Sequence, residues 1–90
     1  MMHFTNRPAA YALIRGNEYY TNVKGRVDFY ETYGGTLVVV EMYGEDEGED
    51  ILSWMAFFTK KFFPEDVIGK VVEIHMERGN VAAGEIKEFF

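Results

Sequence analysis

The sequence predicts an all-β domain, and three observations carry that expectation. Val, Ile, Tyr and Phe gather in short runs, glycines separate the runs at turn-like spacing, and apolar and polar residues alternate with a period of two inside them. A chain of 90 residues makes one domain, residues 1–90. At that length only about 60 to 65 per cent of the unfolded surface is buried on folding, so the core must be efficient. One Trp, six Tyr and eight Phe are expected to help supply it.

The first run, "AAYALIRG" (9–16), sets Ala10, Ala12 and Ile14 against Tyr11, Leu13 and Arg15. The second, "GRVDFYET" (25–32), sets Val27 and Phe29 against Arg26, Asp28 and Tyr30. "GGT" at 34–36 is too short for a phosphate-binding loop and reads as a hairpin turn. "TLVVVEMYG" (36–44) follows, with Val38, Val40 and Met42 on one face and Leu37, Val39, Glu41 and Tyr43 on the other. "ILSWMAFFTKKFF" (51–63) reads as a strand ending before Pro64, although Leu52, Met55 and Phe58 or Phe62 also fit a helical stripe. "EDVIGKVVEIHME" (65–77) and "VAAGEIKEFF" (81–90) close the chain as two further strands.

Register in the last hairpin follows from matching faces. Val72, Ile74 and Met76 form one apolar set, and Ala82, Gly84 and Ile86 the other. A two-residue loop at Gly79-Asn80 would set Ile74 against Glu85, whereas a three-residue loop, Arg78-Gly79-Asn80, sets Ile74 against Gly84 and Val72 against Ile86. The longer loop is therefore expected. It turns Glu73, His75 and Glu77 outward, with Glu85 opposite Glu73.

Composition excludes several function classes. Without cysteine there is no disulfide scaffold, thiolate metal site or thiol nucleophile. The net charge is −6 and the nine basic residues are scattered, which argues against a nucleic-acid partner. No apolar run approaches the roughly 20 residues of a membrane-spanning helix, and "MMHFTNRPAA" lacks the apolar segment of a signal peptide, so a cytosolic, non-membrane protein is expected. The acidic run "EDEGED" (45–50) lacks calcium-loop spacing and reads as a connector. Ser53, the only serine, has no glycine elbow for nucleophilic catalysis.

"RPAAYALIRGNEYYTNVKGRVDFYETYGGTLVVVEMYG" resembles the first three strands of bacterial copper/zinc superoxide dismutases of the short type. "SWMAFFTKKFFPEDVIGKVVEIH" is similar to the family's approach to its last copper-binding histidine, and "VAAGEI" to its closing strand. The resemblance implies an eight-stranded Greek-key β-sandwich or flattened barrel, immunoglobulin-like in class. It also exposes departures. Between Gly44 and Ser53 the family carries a strand with a His-x-His pair of copper ligands, and a long loop with the bridging and zinc ligands; here only "EDEGEDIL" stands. "MERGN" replaces the family's electrostatic loop, and Ala83 stands where one cysteine of its disulfide is usual. Glu45 takes the place of a leucine that plugs one end of the barrel.

By position, His75 resembles the last copper ligand and is an orphan. One outward imidazole cannot supply the multi-histidine site in which copper cycles between oxidation states. The expectation is a loop-stripped, metal-free dismutase-like scaffold without catalytic activity or cofactor, either minimised by design or a degenerate natural homologue. The alternatives are residual copper or superoxide chemistry, and a protein-interaction module acting through an exposed strand edge. His3 offers a second copper position, because a free amino terminus with histidine third can wrap copper(II) in four nitrogens. For partnering, the expectation is a homodimer through Tyr11 and Leu13, which correspond to a dimer-contact region of the family, or through the sheet edge left exposed by a missing fourth strand, unless residues 45–53 cover it.

Overall fold

The computed structural model describes residues 7–46, 49–76 and 79–90. Six strands and one helical turn follow each other: β1 (Ala10–Gly16), β2 (Lys24–Thr32), β3 (Gly35–Asp46), β4 (Glu49–Thr59), α1 (Pro64–Val67), β5 (Val71–Met76) and β6 (Gly79–Glu88). They form one antiparallel sheet in the order β4-β3-β2-β1-β6-β5, curled into a half-barrel. β1 to β4 run as a meander. The chain then crosses by way of α1 to the far edge, so that β6 lies against β1. Six strands stand where the family resemblance implies eight.

The alternation of the first three strands sets the concave face. Ala10, Ala12 and Ile14 of β1, Val27 and Phe29 of β2 and Val38 of β3 are buried with Val81, Ala82 and Ile86 from the last strand. Tyr20, Val23, Phe62, Val67, Val72 and Ile74 pack against this cluster. At Gly84 the sheet is too tight for a side chain, since a Cβ there would lie 2.1 Å from the Leu13 carbonyl oxygen. Gly34, at a φ of 86°, turns β2 into β3 between Thr32 and its partner Gly35, as the "GGT" reading expects. Thr36, fully buried, donates from Oγ1 to the Phe62 carbonyl at 2.7 Å and pins the crossing segment to β3.

Three expectations change. Residues 51–63 are neither a helix nor strand throughout: β4 ends at Thr59, and it pairs along its whole length with β3. The edge of β3 is therefore covered, and the free edge is β4's own. The run 65–77 is not all strand, because Pro64 opens a helical turn in which the Phe63 N–H donates to Asp66 Oδ2 at 2.8 Å. In the last hairpin, Val72 faces Gly84 and Ile74 faces Ala82, two residues from the expected register, and the ladder continues through a bulge to Met76 opposite Gly79. Glu73 consequently faces Ala83 rather than Glu85. The bulge explains the difference: one extra residue absorbs the parity change that had ruled out an even-length turn, so the apolar sets still meet on the concave side.

The aromatic residues do not build the core as expected. Phe29 is the one aromatic buried among the described residues, whereas Tyr19, Tyr33, Tyr43, Trp54, Phe57, Phe58, Phe63 and Phe90 are exposed. The radius of gyration, 13.9 Å, exceeds the roughly 12 Å of a compact domain of this length, as an open-sided sheet requires.

Candidate functional site

On β5, His75 points outward and its Nε2 lies 2.8 Å from Oε2 of Glu73, two residues back along the strand. Both side chains are more than half exposed, so the pair contributes at most about 1 kcal/mol and orients the ring rather than stabilising the fold. Among the described residues no third ligand converges on it. Among the described residues no group of three or more His, Asp or Glu side chains is arranged to hold a metal ion. His3 and Glu77 lie outside the described residues.

The convex face of β1 and β2 carries an internal polar cluster. Asp28 is buried to 9 % exposure and accepts from Arg26 Nε at 2.8 Å. The guanidinium of Arg26 lies 4.9 Å from the centre of the Tyr11 ring, and Phe89 meets that ring edge-on at 5.8 Å. Tyr11 is thus engaged within its own chain, while Leu13 stays exposed beside it. Burial raises the Tyr30 phenol above its ordinary value, with the Asp28 charge adding to the shift. The sign follows: a phenol kept neutral in the fold adds stability that is present below about pH 10, the unfolded value, and lost as pH rises through the higher folded one. Urea unfolding on both sides of that window is expected to show an alkaline loss that Tyr30→Phe reduces.

An unpartnered apolar surface lies on β4. No strand pairs with its outer edge among the described residues. Trp54 is 65 % exposed, Met55 53 %, Phe57 46 % and Phe58 48 %. The register with β3 divides them: Phe57 and Met55 lie opposite Val38 and Val40 on the concave side, and Phe58 and Trp54 opposite Leu37 and Glu41 on the convex side. Residues 51–59, "ILSWMAFFT", hold no charge, proline or glycine. Charged residues flank the run, Glu49 and Asp50 before it and Lys60 and Lys61 after it. The other edge differs. β5 spans six residues and carries Glu73 and His75, a short and charged strand of the kind that discourages pairing.

At the far end of the β3–β4 hairpin, the register sets Glu45 opposite Asp50 and Asp46 opposite Glu49. The acidic run is therefore strand rather than connector at both its ends. Elsewhere a cleft of about 170 Å³ is lined by Ala9, Glu31, Pro64, Glu65, Ile68 and Glu88, which include no nucleophile or base besides carboxylates.

Sequence reasoning placed His75 outward and considered an exposed edge, but it did not identify Trp54, Phe57 and Phe58 as the surface that edge presents. The available signal was the uncharged run bracketed by an acidic and a basic pair. Among the described residues no helix is long and apolar enough to cross a membrane. Comparison of the chain with protein-family models, curated proteins and solved structures gives no match.

Proposed function

We propose that this chain is a protein-interaction module that works by strand addition at the free edge of β4, on a dismutase-like scaffold without a redox metal centre. One observation carries the reading. An eleven-residue edge strand leaves large apolar side chains exposed on both of its faces and is blunted by no charge, proline or bulge over residues 51–59. Soluble proteins normally protect such edges because an unpaired row of N–H and C=O groups recruits another strand. Main-chain bonds then supply affinity, and alternate side chains supply selectivity.

Two features support the finer fold and ancestry within this proposal. The placement of β6 beside β1 agrees with a Greek-key, immunoglobulin-like sandwich. The open side between β4 and β5 agrees with a barrel that has lost two of eight strands. The two histidines of the whole chain are too few for a multi-histidine copper centre.

A phage-displayed random-peptide library selected on the immobilised protein tests the module. Recovered peptides are expected to alternate apolar residues and to lose at least about tenfold in affinity to an Ala56→Lys variant, which places a charge on the exposed edge strand. The thermal midpoint of that variant should stay close to that of the parent. Peptides that bind the variant undiminished would show that the edge of β4 is not the binding surface.

A further inference from the structure

We infer that the occupant of the β4 edge is a second copy of this chain, paired antiparallel, β4 to β4, about a two-fold axis at Met55. The inference rests on the strand-addition reading and names its partner.

Charge and register select that partner. In an antiparallel pair centred on Met55, Glu49 and Asp50, which open β4 in one copy, come to the end of β4 in the other, where Lys60 and Lys61 follow its last residue, Thr59; the two-fold repeats this at the opposite end. The acidic start of β4, whose register within one chain is with Glu45 and Asp46, thereby meets the basic pair that follows β4. Between those ends Trp54 falls opposite Ala56 and Phe57 opposite Ser53, so the bulkiest side chains meet small ones. Shifting the centre by half a residue would turn the concave face of one copy against the convex face of the other. Moving it by a whole residue would set Asp50 against Phe58 or Phe62 and break the charge match. Among these registers one satisfies faces and charges together.

The same edge serves both copies, so the interface is isologous and closes on itself. Each dimer is then a continuous twelve-stranded sheet whose remaining edges are the two β5 strands. Those strands are short and carry Glu73 and His75, which opposes further growth. A dimer, and not a fibre, is the expected product.

Charge reversal tests the register. Sedimentation velocity from low micromolar to submillimolar protein is expected to show a monomer–dimer equilibrium for the parent chain. The variants Glu49→Lys/Asp50→Lys and Lys60→Glu/Lys61→Glu should each associate at least about 100-fold more weakly, because like charges then meet at both ends. Mixed in equal amounts, the two variants should recover a dimer of parental affinity, since acid again meets base at each end. Circular dichroism and thermal midpoints verify that each variant is folded. Dimers that tolerate either reversal alone, or a mixture that fails to recover, would overturn the proposed pairing. A parent chain that stays monomeric but still captures displayed peptides in a manner sensitive to Ala56→Lys would overturn self-pairing and leave the module reading standing. A chain that does neither would overturn both.

Discussion

Ile14→Ala is expected to cost about 2 to 5 kcal/mol and to lower the thermal midpoint by about 10 to 30 °C, while Leu13→Ala, one residue away, changes stability by no more than about 0.5 kcal/mol. Ile14 is 1 % exposed and sits in the middle of the concave cluster, over the point where Gly84 brings β6 against β1. Truncation leaves a cavity that its neighbours cannot close, because Ala10, Ala12 and Ala82 are too small to move into it. Leu13 points to the convex side and is half exposed, so its removal takes little from the core. Total stability for a chain of this length is about 5 to 13 kcal/mol, and three of the nine apolar residues buried among the described ones are alanine, so the Ile14 loss is a large fraction of it. Paired chemical denaturation curves for the two variants measure the contrast. Equal losses at positions 13 and 14 would mean that the face assignment of β1 is wrong.

That contrast rests on the part of the fold most legible in the sequence. In β1, β2 and β3 the period-two pattern puts Ala10, Ala12, Ile14, Val27, Phe29, Val38, Val40 and Met42 on one face; the first six are buried and the last two partly so, while Asp28 is buried from the opposite face. The legibility has a cause, since each of these strands is flanked by another strand and covered on one side, so burial enforces the alternation. It weakens where those conditions lapse. β4 has a neighbour on one side only, and its apolar residues fall on both faces because neither face is sealed, a pattern that also resembles a helical stripe. The signature of α1 was present as "FPED", a proline in first helical position with acidic residues in the first turn, but a four-residue helix has no periodicity to announce it. The hairpin register escaped because face matching fixes parity alone, and a bulge at Ile74 and His75 exchanges one parity for the other. The outward placement of His75 followed from that parity, whereas its bond to Glu73 is a rotamer choice that spacing permits and does not dictate.

Phe29→Ala is expected to destabilise the fold by about 3 to 5 kcal/mol, the largest single effect among the apolar positions. Phe29 is 4 % exposed and meets Phe62 with ring centres 6.3 Å apart and planes tilted by 59°. This contact joins the central strand β2 to the segment that leaves β4 and crosses to α1. Phe62 is held there twice, by its ring against Phe29 and by its carbonyl accepting from Thr36 Oγ1. A double-mutant cycle with Phe62→Ala is therefore expected to give a coupling of about 0.5 to 1.5 kcal/mol beyond additive losses. Additivity within error would mean that the two rings stabilise the fold independently. Coupling would tie the core to the proposed interface: Lys60 and Lys61 lie between the end of β4 and Phe62, so the contact of the two rings fixes where that basic pair stands.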